Sequence, residues 1–301
     1  SNILVSDQGF DGLVVQVALK GISKSHAFTR EENPVTPEGV TLTAAAGEDW
    51  DSFVEYCVAN DLAGVECLSG IPGFVGGTPV QNVGAYGQEV SETIATVRCF
   101  DRERREFVDL SNLDCEFTYR KSIFNSSQRD RYVVLAVSYV LLRGGQPKIA
   151  YKDIKDHFGP HRPTLRETRD AVLTIRQSKS MVIDANDPNR RSAGSFFKNP
   201  IVLRQRFDEI AAEFGSIPHF PANDGFVKIP AAWLIERSGF AKGYEHGNAG
   251  ISTNHTLAII NRGAATADEI LSLKSDIQSA VESKFDIFLQ PEPVFVGFSE
   301  K

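Results

Sequence analysis

Cysteine is scarce and never paired: Cys57, Cys67, Cys99 and Cys115 stand far apart, with no C-x-x-C spacing among them. At this length that argues against a disulfide framework and for reduced, largely buried thiols, as in a cytoplasmic protein. Basic charge is in deficit, with 32 Lys and Arg against 39 Asp and Glu for a net charge of −7. A nucleic-acid surface would want the opposite balance, although a local basic pocket for a phosphorylated small molecule stays open. No apolar run approaches the roughly eighteen residues of a membrane span. No basic stretch followed by an apolar core marks a signal peptide. Neither a nucleic acid nor a membrane is therefore expected as a partner. An initiator methionine is missing too: the chain opens on SNILVSD, and its beginning reads as cut.

Several catalytic signatures are also lacking. There is no G-x-S-x-G elbow of a serine hydrolase, and no P-loop with its Gly-Lys-Ser/Thr ending. His157 and His161 have the i,i+4 spacing of metal ligands on a helix, but Gly159-Pro160 between them breaks a helix and no Glu or Cys completes a set. No metal is expected. Internal repeats and low-complexity tracts are absent. What is left is an ordinary globular composition, 42% hydrophobic and 24% charged, in 301 residues, enough for two or three domains.

Gly12 to Lys20 (GLVVQVALK) and Val40 to Ala46 (VTLTAAA) are strands by β-branched content. In EDWDSFVEYCVAND, Trp50, Phe53, Val54, Cys57 and Val58 form one apolar stripe of a helix. Thr93 to Phe100, the charged turn DRERRE and Phe107 to Leu110 predict a hairpin, and Tyr132 to Leu142 a long strand. A capping box at Thr164 and Glu167 opens a helix with Leu165, Thr168, Val172 and Ile175 on its inner face. Asp184 to Arg191 reads as a loop, Ala231 to Arg237 as a helix and Leu257 to Ile260 as a strand. A second capping box, Thr266 and Glu269, opens a helix with Ile270, Leu273, Ile277 and Val281 inward, and Pro293 to Phe298 is a short strand. The fold class is mixed α+β, not a regular βαβ alternation.

Gly70 to Val90, GIPGFVGGTPVQNVGAYGQEV, stands out with six glycines and two prolines. Its spacing is not the G-x-G-x-x-G dinucleotide fingerprint. Such a cluster means that backbone passes close to a phosphate-bearing cofactor or another strand, or that the segment is only a mobile loop. Exposed amides can cradle a pyrophosphate without a lysine. Pro72 and Pro79 stiffen the stretch, Gln81 and Asn82 offer amides suited to a heteroaromatic edge, and Tyr86 offers a ring. Together they sketch a flavin or nucleotide site.

IPGFVGGTPVQNVGAYG resembles the signature of the UDP-N-acetylenolpyruvoylglucosamine reductases, the MurB family of peptidoglycan precursor enzymes. FTYRKSIF (Phe117 to Phe124), SAGSFFKNP (Ser192 to Pro200) and LQPEPVFVG (Leu289 to Gly297) match in the expected order, so four collinear motifs span almost the whole chain. IAYKDI around Tyr151 resembles the branch with an extra tyrosine loop over the substrate.

The resemblance implies noncovalent FAD, NADPH as co-substrate and reduction of the enolpyruvyl ether of UDP-GlcNAc-enolpyruvate, with hydride from flavin N5. Ser195 matches the serine that supplies the proton, Arg120 the arginine on the substrate carboxylate, and Glu292, held between Pro291 and Pro293, its partner. Tyr119, Tyr151, Lys179 and Asn199 match substrate contacts. Arg176 and Lys198 lie close enough to Lys179 and Asn199 to compete for the diphosphate role. Ser1, Asn2, Gly70, Ile71, Pro72, Gly73, Gly76, Gly77, Gln81, Asn82, Gly84, Ala85 and Tyr86 match the FAD cradle.

It also implies an FAD-binding two-subdomain fold of the vanillyl-alcohol oxidase type plus a C-terminal substrate-binding α+β domain. Residues 1–28 would be the remnant of a first FAD subdomain lacking its opening unit, 29–180 the second, and 181–301 the substrate domain, its last strand returning to the FAD site. Two alternatives remain at this point. An FAD oxidase of the same fold would often anchor its flavin through His or Cys, which the glycine stretch lacks, and a non-catalytic nucleotide-sugar binding fragment would hold no flavin.

Overall fold

The computed structural model describes residues 2–26 and 39–298. Contacts divide the chain into Val14–Gln177 and a second unit built from Ser1–Leu13 with Ser178–Lys301. The boundary expected at residues 28 and 29 falls outside the described residues.

In Val14–Gln177, the β-branched alternation around Val40 works as expected. Every second residue of the Gly39–Ala45 strand faces inward, and Val40, Leu42 and Ala44 are fully buried. This strand lies between Ile22–His26 and Tyr132–Arg143, and the sheet continues through Ile94–Asp101 to Glu106–Ser111, each neighbour antiparallel. Leu62–Ala63 adds a short pairing to the end of the long strand. The Trp50–Ala59 helix begins where the Asp49 carboxylate accepts from Ser52 N, a cap contributing about 1 kcal/mol. Its predicted stripe is buried in full. Trp50 and Phe53 pack on Tyr139 of the long strand, ring centroids 5.9 and 5.0 Å away.

One expected strand does not form. Gly12 to Lys20 has no regular ladder, and Leu13, Val14 and Val15 are largely exposed. Strand pairing starts only at Ile22, and β-branched content without a partner edge does not make a strand. The Leu165–Ser178 helix starts at its predicted capping box. Its inner face holds more than the apolar spacing indicates, because Arg169 and Arg176 are buried with it.

In the other unit, the Ala267–Phe285 helix also begins at its predicted box and buries Ile270, Leu273, Ile277, Val281 and Phe285. It packs against the sheet Glu245–His246, Ala249–Ile251 and Ile259–Asn261. The strand expected from Leu257 therefore begins two residues later, after a turn in which Ala258 N donates to His255 O. Ile201–Leu203, Phe226–Lys228 and Phe220–Pro221 make a second antiparallel sheet, beside an Arg204–Phe214 helix that the apolar spacing did not bring out. Ile3–Val5 and Val294–Val296 pair in parallel. All four cysteines are free and buried, and burial pushes each thiol upward.

Candidate active site

The glycines of the Gly70–Val90 stretch answer to different needs. The stretch runs beside the turn that follows the Gly39–Ala45 strand: Gly76 N donates to Ala46 O, Val75 N to Glu48 O, and Trp50 N to Gly73 O. A Cβ on Gly76 would sit 2.6 Å from Ala46 Cβ and 3.1 Å from its carbonyl oxygen, so this glycine serves the approach of another strand's end. Gly73 takes φ +127°, which a side chain would strain. Gly77 differs: it is exposed, and a Cβ there would meet nothing within 4 Å. Its missing side chain leaves space that the protein itself does not fill.

Charged groups brace the stretch. Asp51 accepts from Gly70 N at 2.6 Å and pairs with Arg169 through two bonds of 2.6 and 2.8 Å. Burial pushes the Asp51 carboxyl up, but the bonds from Arg169 and Gly70 outweigh it and hold the group below its ordinary value. Glu66, buried, accepts from Gly64 N, Lys148 N and Gln88 Nε2, while Gln88 Oε1 accepts from Cys67 N. These bonds fix both ends of the loop to the sheet-and-helix framework.

Within the loop, the Asn82 side chain holds the backbone instead of reaching outward. Its amide donates to Glu89 and to Thr118 O and accepts from Ser91 N, with the residue itself at φ +47°. The expectation that its amide serves a heteroaromatic edge gives way to this scaffold use. Ile71, Pro72, Gln81, Ala85 and Tyr86 are half-buried along the same stretch.

Three predicted residues from elsewhere in the sequence gather here. Arg120, in the left-handed region at φ +55°, donates to Gly84 O at 2.7 Å and lies over the Tyr119 ring. A Cβ on Gly84 would come 3.1 Å from that guanidinium, so the glycine makes room for the arginine. Tyr151 meets Tyr86 edge to face at 5.5 Å. Burial pushes the Tyr86 hydroxyl up to about 12 and raises Tyr151 as well, so both stay neutral donors near neutral pH. Tyr86 also bonds to Arg176, whose guanidinium burial holds below the usual arginine value.

The remaining described candidates belong to the second unit. SAGSFFKNP runs antiparallel to LQPEPVFVG: Lys198 N donates to Gln290 O, Phe197 bridges Pro291, and Glu292 N donates to Phe196 O at 2.9 Å. Ser195 and Glu292, 97 positions apart in sequence, are thus neighbours across paired backbones, both half-buried. Asn2 joins them, donating from its side chain to Glu292 O and accepting from Val294 N. Asn199 Oδ1 accepts from Ala231 N and so caps the Ala231–Arg237 helix. Lys179 is half-buried just past the end of its helix. Ser1 lies outside the described residues.

His255 escaped the sequence reading. Its Nε2 lies 3.2 Å from Ser195 Oγ. The signal available was a histidine inside a run of small polar residues, STNHT, just before an apolar strand. Among the described residues no group of histidine, cysteine and carboxylate side chains suits a metal ion, and no helix is long and apolar enough to cross a membrane.

The stretch suits a flavin dinucleotide: it is stiffened by two prolines, braced at Gly70 and open at Gly77. Comparison with known proteins agrees. Residues 1–108 match the FAD binding domain family, and residues 187–296 match the UDP-N-acetylenolpyruvoylglucosamine reductase C-terminal domain family. The UDP-N-acetylenolpyruvoylglucosamine reductase of Thermobifida fusca is 46% identical, the match covering 99% of this chain and 84% of that protein. That of Streptomyces coelicolor is 44% identical over 99% of this chain and 77% of its own length. The crystal structure of the Thermus caldophilus enzyme shares the fold at a TM-score of 0.56 and 23% identity, covering 84% of this chain and 72% of that one. On these matches the chain belongs to the UDP-N-acetylenolpyruvoylglucosamine reductase family.

Proposed function

We propose that this flavoenzyme reduces UDP-N-acetylglucosamine enolpyruvate to UDP-N-acetylmuramate at the expense of NADPH, in the cytoplasm, for peptidoglycan precursor synthesis. NADPH and the nucleotide-sugar substrate take turns in a ping-pong cycle. FAD, when bound, supplies the hydride. The stretch from Gly70 to Tyr86 and Asn2 are the residues we assign to holding it. Gly77 leaves space for the cofactor, and Asn82 shapes the loop from within.

Arg120 and Glu292 are assigned to the substrate carboxylate, where negative charge builds as the enol ether is reduced. The left-handed backbone at Arg120 supports that role, since strain of this kind is retained where a side chain must be aimed. Tyr119, Tyr151, Lys179 and Asn199 are assigned to the nucleotide sugar. Tyr151 and Tyr86 are held as neutral hydroxyls, able to donate to phosphate oxygens. Ser195 is assigned the proton for the α-carbon.

The observation that supports this reading is the bond from Glu292 N to Phe196 O, the residue that follows the proposed acid Ser195. Ser195→Ala tests it in stopped flow. Flavin reduction by NADPH is expected to keep its rate, while reoxidation by the enolpyruvyl substrate falls at least 10²-fold, the usual worth of a positioned proton donor. Equal losses in both halves would remove Ser195 from the proton step.

A further inference from the structure

A serine hydroxyl gives up its proton reluctantly, because the alkoxide left behind is strongly basic. Whatever donates a hydrogen bond to that oxygen lowers the barrier, and His255 Nε2 lies 3.2 Å from Ser195 Oγ. Both residues belong to one unit of the chain, and the backbone holds them in register. Phe196 N donates to Leu257 O at 2.7 Å, and Ser192 bridges Ile260, so the serine segment lies along the strand that the histidine turn leads into.

The turn itself is fixed residue by residue. Ser252 Oγ, fully buried, accepts from the backbone of Asn254 and His255. Asn189 Oδ1 accepts from Thr253 N, Asn254 Nδ2 donates to Ser180 Oγ, and the Thr256 hydroxyl donates to Glu236. The other polar side chains of STNHT bond to the framework, whereas the imidazole bonds to the serine of SAGSFFKNP. A turn needing only stability has no use for so many restraints around one ring.

We infer that His255 is a positioning residue: it donates from Nε2–H to Ser195 Oγ, turning the hydroxyl's own hydrogen away from the ring and steadying the oxygen as that hydrogen leaves. The inference rests on the reading of Ser195 as proton donor. In the step it serves, the Ser195 O–H bond breaks and a C–H bond forms from the carbanion's electron pair at the α-carbon. The O–H electron pair stays on Oγ, held by the Nε2–H bond, and a proton from water restores the hydroxyl after product leaves.

The histidine is tested in the FAD-loaded enzyme by separate half-reactions. His255→Leu is expected to leave flavin reduction by NADPH unchanged and to slow reoxidation by the enolpyruvyl substrate about 10²-fold, as loss of one aimed donor does. His255→Gln, whose amide nitrogen reaches the place of Nε2, should recover most of that rate. In the Ser195→Ala background, His255→Leu should cost nothing more, because residues acting as a unit are not additive. A wild-type rate in His255→Leu, no recovery in His255→Gln, or additive losses would overturn the inference. Nitrogen-15 NMR of the flavin-free protein gives a readout without turnover, with His255 assigned by its loss in His255→Gln. The Nε2-protonated tautomer is expected, and an Nδ1-protonated ring would refute the donor role. A Ser195→Ala enzyme with full reoxidation would instead bring down the serine reading, and this inference with it.

Discussion

The two regions assigned to chemistry are held in different ways. The Gly70–Val90 stretch is braced by ions: Asp51 with Arg169, buried Glu66, and buried Arg176 against Tyr86. The Ser195–His255–Glu292 region is held by paired backbone and mainly by the neutral side chains of Asn189, Ser252, Thr253 and Asn254, with one carboxylate, Glu236, accepting from Thr256. Ionic bracing gives short bonds but leaves a costly orphan when one partner is lost. Neutral bracing spreads the same task over many bonds of modest individual worth. The first design suits a loop of glycines with few side chains of its own to pack, and the second a segment already fastened on two sides.

Removing Asp51 is the strongest way to break that contrast. Asp51→Ala leaves Arg169 buried without its bidentate partner and Gly70 N without its acceptor, at a cost of about 3 kcal/mol, the lower end for a broken buried pair because Asp51 is partly exposed. Denaturant titration should show it. The pH response has a definite sign. The folded Asp51 carboxyl is held below its ordinary value, so its contribution is present above that ordinary value and is lost as pH falls through the folded one. The acid limb of the wild-type stability curve should therefore flatten in Asp51→Ala, and an unchanged limb would remove this pair from the account.

Two neighbouring glycines sharpen the comparison. Gly76→Ala forces a Cβ to 2.6 Å from Ala46 and should cost about 2 kcal/mol by overpacking. Gly77→Ala should leave the flavin-free protein as stable as wild type yet weaken FAD retention, measured by fluorescence titration. Equal behaviour of the two variants would mean that Gly77 is not where cofactor approaches. The neutral region should respond least. Asn189→Ala strands Thr253 N–H for about 1 kcal/mol and slows reoxidation by substrate more than reduction by NADPH. A loss as large as that of Asp51→Ala would erase the distinction between the two kinds of bracing.

What could be read from the sequence follows the range of the interactions. The Trp50 stripe, the boxes at Thr164 and Thr266 and the hairpin through DRERRE are local patterns, and each formed as expected. Family motifs in the sequence single out Arg120, Tyr151, Ser195 and Glu292 as site candidates. Arg169 gave no such signal, because its partner Asp51 lies 118 positions away and charge spacing on a helix normally marks the solvent face. His255 was hidden for a similar reason, as the pairing of Phe196 with Leu257 and of Ser192 with Ile260 brings its turn to Ser195. Gly12 to Lys20 misled in the opposite direction: its local content favoured a strand, and no partner edge took it up.

The parallel pairing of Ile3–Val5 with Val294–Val296 has a consequence in time. The two strands lie 291 positions apart in sequence, so the first is made well before the second. Val14–Gln177 is contiguous and finds all its sheet partners within itself, so it can fold while the rest is still being made. The unit built from Ser1–Leu13 with Ser178–Lys301 must wait until Val294–Val296 has been made. Loop-closure entropy grows only slowly with length, so the delay shows in rate more than in final stability. Pulse-labelled hydrogen exchange during refolding should protect the amides of Gly39–Ala45 before those of Val294–Val296, and the opposite order would show that the pairing of Ile3–Val5 with Val294–Val296 forms first. Until that meeting, Glu292 has no Asn2 beside it, so the surroundings of this glutamate are expected to be completed late.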